Sequence, residues 1–247
     1  MAFLRTYLKD LEVLVVEFFD VVTTRRSVRK FTSEPVPEAV VRKALDAAIL
    51  APNSSNMQMW EFYWVRSPEK KAAAVKACFS QPAAATAAEL VFIVSRVDTW
   101  RRNRDLMIAE LKKSPDVKQS ALDYYQKAMP AVYFQDPVGV TGIVKRVAIS
   151  AAGLTRPVPR GPTSKAALFE MVTKSAALAA ENFMLAVVAQ GYACCPMEGY
   201  DEARIKKILG LGRNAHVVMG VAFGKPDPKG YYGPQIRFDK SLFVFEV

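Results

Sequence analysis

Residues 51–66, APNSSNMQMWEFYWVR, place a helix end, a turn and a strand side by side. Pro52 stops the helix before it, because proline lacks the N–H that a helix ladder needs. Asn53, Ser54, Ser55, Asn56 and Gln58 follow, all residue types that cap and turn. Glu61–Arg66 is rich in aromatic and β-favouring residues and reads as a strand. Upstream, the turn signal TSEPVP (residues 32–37) leads into Val40, Val41, Ala44, Leu45, Ala48 and Ile49 at helical spacing, with Pro37 suited to the first helical position.

Working outward, Glu17–Thr24 reads as a helix, and a short Lys- and Ala-rich helix follows Pro68. Leu90–Val97 (LVFIVSRV) is an almost unbroken apolar run, as in a strand covered on both faces. From Asp98 to Pro162 the pattern loosens into charged helical pieces and prolines, and this stretch is expected to be an insertion or lid. Ser164–Gln190 reads as one long helix with Gly191 as its C-cap. Its alanines permit close approach of another helix, from this chain or a partner subunit. Asp201–Leu209 is a short helix, His216–Phe223 a buried strand, and Lys225–Val247 an extended tail. Helices alternating with a few buried strands point to an α+β or α/β layered domain, taken as one unit over residues 1–247 with the insertion at 98–162.

Composition narrows the chemistry. The chain has 247 residues, 51% hydrophobic and 23% charged, the range of an ordinary globular domain. Three cysteines, two of them adjacent, form neither a disulfide framework nor a C-x-x-C metal pattern. A single histidine, His216, argues against a His-based zinc or iron site and is read as structural. The most apolar stretch, Ala176–Cys195, carries Glu181 and Asn182, and the N-terminal LEVLVVEFF run carries Glu12 and Glu17 with Asp20 beside it. Neither is read as a membrane span or secretion signal, and a cytoplasmic protein is expected. The net charge of +10 attracts anions, whether nucleic acid, acidic lipid or phosphate-bearing small molecules.

GLGRNA (residues 210–215) superficially matches a dinucleotide fingerprint. That motif needs a strand before it and a helix after it. Here the order is reversed, so Gly210 and Gly212 read as cap and turn glycines. RRSVRKF (residues 25–31) is more informative. In an extended chain Arg25, Ser27 and Arg29 project to one side, and Arg26, Val28 and Lys30 to the other. Two guanidiniums flanking a hydroxyl make a compact donor set for a phosphate, although a solvated basic turn has the same composition. CPMEGY (residues 195–200) has Pro196 and Gly199 bracketing a bend, which would expose main-chain amides to a ligand. Arg237, within GPQIRF, is a lone cation in the tail.

In this order the four pieces resemble the nitroreductase family: RRSVRKF, APNSSNMQMWEF, GYACCPMEGYD and a C-terminal arginine. The resemblance spans roughly residues 18–97 and 164–247. It implies an α+β fold, a central mainly antiparallel sheet flanked by helices, and an intertwined homodimer with FMN at the subunit interface. Carried over by position, Arg25, Arg26, Ser27, Arg29 and Arg237 would hold the FMN phosphate and ribityl chain. Gln81 would face the flavin pyrimidine edge. Pro196, Met197, Glu198 and Gly199 would pack on the isoalloxazine, with a backbone amide near Glu198 approaching N5. Pro52, Asn53, Ser54 and Asn56 would arrive from the other subunit. Met59, Asn53 and Gln235 depart from the family's usual residues.

The resemblance implies a ping-pong oxidoreductase with no catalytic side chain of its own and no metal. Hydride would pass from NAD(P)H through flavin N5 to an electron-poor small molecule such as a nitroaromatic or quinone. The Asp98–Pro162 insertion, which the resemblance does not cover, carries Tyr124, Tyr125, Tyr133 and Phe134 and reads either as a substrate lid or as packed structure. Two rivals are an FMN carrier or sensor without turnover and a basic nucleic-acid-binding protein. The scattered cations and the absence of a binding motif disfavour the second, and neither nucleic acid nor membrane is expected as a partner.

Overall fold

A computed structural model describes residues 17–136 and 138–247. In chain order its elements are α1 (Phe18–Thr24), α2 (Glu38–Ile49), β1 (Trp60–Trp64), α3 (Pro68–Ala77), α4 (Pro82–Thr86) and β2 (Glu89–Arg96). Then come α5 (Trp100–Leu111), α6 (Gln119–Asp123), a π-helical turn (Tyr124–Ala128), α7 (Met129–Tyr133) and α8 (Val140–Ala152). The chain continues through α9 (Lys165–Ala189), β3 (Ala193–Met197), α10 (Glu202–Leu209) and β4 (Ala215–Gly224).

The four strands form one sheet in the order β1-β2-β4-β3, every pair antiparallel. The class is therefore α+β, and the α/β alternative falls. Strand period explains the layers. Leu90, Phe92 and Val94 of β2 pack on one face with Ala74, Ala77 and Cys78 at α3 and Ile205 of α10. Val91 and Ile93 turn to the other face, against Val41 and Ala44 of α2 and Ala176, Ala180 and Phe183 of α9. A strand covered twice must be apolar at successive positions, which is why this run is unbroken.

The alanines of α9 find their close partner within the chain. Ala176, Ala179 and Ala180 are fully buried in the same cluster as Ala44 and Ala48 of α2. By length and hydropathy α9 is apolar enough to cross a membrane, yet this face of it is core. Its ends follow local chemistry: Ser164 Oγ accepts from Ala167 N at 3.1 Å, and Gly191 takes φ +79° just beyond Gln190. Gly210 likewise caps α10 at φ +70°. Pro37 occupies the N-cap of α2 rather than its first helical position.

Strand β3 corrects the sequence reading, which placed a bend from Pro196 to Gly199. Pro196 lies within β3, and the bend begins at Glu198. The Cys194 carbonyl accepts from Val28 N at 3.1 Å, so this strand position turns its main chain away from β4. Pro196, two residues on, shares that orientation, and its missing N–H costs no bond to β4.

The loosened region proves helical, packed in its first half and largely exposed in α8, which buries only Gly142. Trp100, Met129 and Tyr133 share a buried cluster with Met57, Met59, Val97, Leu168 and Val172. Of the four aromatics assigned to a lid, Tyr133 is buried, Tyr125 half-buried, and Tyr124 and Phe134 exposed.

Candidate functional site

Helix α1 ends at Arg25, whose N–H still bonds Val21 O at 3.0 Å, and the chain then runs extended. It is zipped on both sides. Ser27 bridges Cys194 of β3 in parallel, Arg29 N donates to Gly230 O at 2.9 Å, and Thr32 N donates to Lys225 O at 2.9 Å. Val28 is buried while Ser27 and Arg29 stay exposed, as a period of two requires.

Arg25, Arg26, Ser27 and Arg29 line a cavity of about 380 Å³ whose other wall is Tyr232–Arg237 of the tail. All five phosphate-binding candidates therefore converge. Arg26, on the opposite side of the strand from Ser27, still joins them. Its Nη2 donates to Gly233 O, and its guanidinium lies 5.2 Å from the Tyr231 ring centroid. Arg29 lies 5.4 Å from that of Tyr232. With its amide oriented to match its neighbours, Gln235 donates to Thr23 O and accepts from Arg237 Nη2, both at 3.1 Å. Gln235, a departure from the family pattern, thus pins the tail to α1 and orients Arg237.

Arg25 is the decisive member. Its side chain is 19% exposed, and its nearest carboxylate, Glu181, stands 3.9 Å from Nε. Its Nη1 is buried with no hydrogen-bond partner among the described residues. A buried charged donor left unpaired costs about 1–3 kcal/mol or more, and an anion in the cavity would relieve that cost. The donor set fits a phosphate: planar guanidiniums, a hydroxyl, and no carboxylate among the cavity's lining residues.

A second group forms at the end of β3. Gln81 Nε2 donates to Gly199 O at 2.8 Å, and Asp201 N donates to Ala77 O at 2.8 Å, joining the two loops. Phe79 (φ 57°) and Ser80 (φ 49°) hold left-handed backbone to make the approach. Glu198 and Gly199 are exposed and Pro196 half-buried, whereas Met197 is 3% exposed in the core and offers a ligand only main chain.

Pro52, Asn53, Ser54 and Asn56 do not line the cationic cavity of their own chain. They belong to a turn in which Ser55, Asn56 and Gln58 all have positive φ (54°, 49°, 47°). The turn is held from outside: Tyr125 OH donates to Ser55 O at 2.9 Å, and Ser54 N donates to Ser175 Oγ at 3.3 Å. Three non-glycine residues in left-handed backbone, over-determined by neighbours, mark strain of the kind that gathers at ligand sites.

Sequence reasoning missed Tyr231, Tyr232, Gly233 and Glu181. The aromatic pair stands four and three residues before Gln235, and arginines without nearby carboxylates were the signal that could have found it. His216 is structural, its Nδ1 3.1 Å from Glu202 Oε1 and its ring edge-on to Phe169.

The sequence model of the nitroreductase family matches residues 22–225. A protein of Thermus thermophilus named NADH dehydrogenase is 26% identical over 218 residues, covering 88% of this chain and 91% of that protein. Among solved structures, a Bacillus subtilis protein assigned as a nitroreductase superposes with a TM-score of 0.74 at 19% identity, covering 93% of this chain and 98% of its own. Another so assigned, from Exiguobacterium sibiricum and solved in complex with FMN, gives 0.65 at 22% identity, covering 94% and 98%.

Proposed function

Since the chain belongs to the nitroreductase family, we propose that it is an FMN-dependent oxidoreductase that takes hydride from NAD(P)H and reduces an electron-poor small molecule. The observation that carries this is the partnerless buried Nη1 of Arg25 in a cavity lined by three further cations, Arg26, Arg29 and Arg237. Those four residues and Ser27 would hold the phosphate and ribityl end of FMN. Gln81, and the main chain of Pro196–Gly199, would meet the ring. The chemistry supplied by that group when bound is redox exchange: hydride in from a nicotinamide donor, reducing equivalents out to an acceptor such as a nitroaromatic or quinone.

The protein's own part is binding, orientation and electrostatics. The cradle's cations favour a ligand that gains negative charge on reduction. The Gln81–Gly199 bond fixes the loop beyond β3, so its amides stay aimed. No side chain is assigned a proton-transfer role.

The turn at residues 52–58 is built yet stands off the cradle of its own chain, and this supports a homodimer in which Pro52, Asn53, Ser54 and Asn56 complete the partner's site. Exposed apolar residues agree: Phe18 and Phe19 on α1, and Ile236, Phe238, Phe243 and Phe245 on the tail. Helices α5–α8 would form the lid, and the protein would work in the cytoplasm.

The test is the visible spectrum of freshly purified protein, then steady-state NADH and NADPH oxidation with menadione or a nitrofuran. A yellow dimer with acceptor-dependent turnover is expected. A yellow protein without turnover would favour the carrier reading, and a colourless monomer indifferent to added FMN would overturn the proposal.

A further inference from the structure

The largest cavity among those described lies elsewhere. It measures about 670 Å³ and opens between α5, the α7–α8 connection and the start of α9. From the geometry we infer a second binding site here, for an organic anion with an apolar body.

The floor is apolar: Val97, Trp100, Tyr133 and Leu168 line it and are all less than 9% exposed. The rim carries Arg101, Arg146, Lys165 and Arg213. Two carboxylates also line the cavity, and both are already engaged. Asp98 binds Arg96 through two bonds of 3.0 Å. Asp136 accepts from Val140 N at 3.0 Å, from Thr141 N at 2.8 Å and from Thr141 Oγ1. Among the described residues no carboxylate lies within ion-pair distance of Arg101, Arg146 or Arg213, and Lys165 Nζ donates to the neutral Asn214 Oδ1 at 2.8 Å.

A second observation points to a ligand. Gln135, also in the lining, has a buried Nε2 with no hydrogen-bond partner among the described residues. Rotation of the half-buried Gln135 side chain would present this donor to the cavity, where a carboxylate, sulfonate or phosphate drawn by the rim would accept from it. The wall is rigid on one side, since a Cβ on Gly142 would stand 2.2 Å from Thr163 O. Helix α8 therefore sits hard against the segment entering α9.

This cavity is not an extension of the cradle. Asn214 lines it, whereas Ser27 bridges Cys194, which pairs with Phe223 of β4. From residue 214 to 223 the strand runs roughly 30 Å at ~3.3 Å per residue. It does touch the turn offered to the partner subunit, since Tyr133 OH donates to Ser54 O at 3.4 Å, so titration with and without FMN separates this inference from the FMN reading.

Isothermal titration with 4-phenylbutyrate tests it, on full-length protein with and without saturating FMN. Saturable binding is expected in both, with 4-phenylbutylamine, the same body with a cation, failing to bind. Arg146→Glu/Arg213→Glu should weaken the acid about tenfold or more while leaving the circular dichroism spectrum and melting curve unchanged. Arg25→Ala should leave acid binding intact. Equal binding of the amine, undiminished binding to the double variant, competition between FMN and the acid, or no saturable heat up to about 5 mM would each overturn the assignment. Should the double variant unfold, Arg213→Gln alone, with the acid-against-amine comparison, gives the same decision.

Discussion

Gln81 Nε2 and the main-chain oxygen of Gly199 meet at 2.8 Å, although 118 positions separate the two residues in sequence. The bond closes the loop after α3 onto the loop after β3, and both loops hold candidate ring contacts. Gln81→Ala removes one neutral hydrogen bond, worth about 1 kcal/mol, so FMN should bind roughly fivefold more weakly by fluorescence titration. Gln81→Glu should bind more weakly still, because a carboxylate would face the Gly199 carbonyl. Unchanged affinity in both variants would remove Gln81 from the site.

Arg25 should matter more than any other cradle residue. Arg25→Ala deletes a charge-assisted partner of a phosphate, and FMN affinity should fall by about 10- to 150-fold. The apoprotein should lose less, since Nη1 has no partner to forfeit and the ion pair with Glu181 is long, at 3.9 Å. Comparing thermal melts of apo and FMN-loaded variant checks both halves: a large apo destabilisation would show that Arg25 is structural.

Gly230 holds the cradle strand from behind. A Cβ there would lie 2.5 Å from Lys30 O and 2.8 Å from Lys30 N. These are backbone atoms, which have no rotamer to yield. Gly230→Ala should cost about 1–3 kcal/mol of stability, and it should weaken FMN binding as residues 25–31 are pushed off the turn. Urea denaturation and flavin titration on one preparation measure both.

The thiols should be silent in the native protein. Burial pushes Cys78 up to about 11 and Cys194 up to about 12, and it raises Cys195 as well. The thiolate is the reactive form, so a disulfide reagent at pH 8 should label none until urea is added, and then three. Because the folded state keeps these protons longer, the stability contribution is intact below the ordinary thiol value, near 8.5. It declines as pH rises from there through about 11 and towards about 12. The urea midpoint should fall across that window, and a flat profile would contradict the burial.

Much of the fold was legible because its elements obey local rules. Residues 38–49 repeat at helical spacing, 90–97 are apolar on both faces, and Ser164 and Gly191 mark the ends of one helix. The region from 98 to 162 was less legible. Trp100 of α5 and Met129 and Tyr133 of α7 are buried against Met57, Met59, Leu168 and Val172, while α8 buries only Gly142, so no one helix there shows a full buried stripe. Strand β3 was invisible for another reason: its proline reads as a bend unless the neighbour on each side is known.

The sequence by itself settled which residues carry charge, which can bond a phosphate, and how helix and strand alternate, because propensity and periodicity act over a few neighbours. Only the tertiary structure decided that Arg25 and Arg237 share one cavity, that Pro196 sits in a strand, and that Tyr133 is core. Those facts follow from the path that brings distant segments together. Hydrogen-bond direction and close packing are properties of the assembled pair, and neither partner holds them alone.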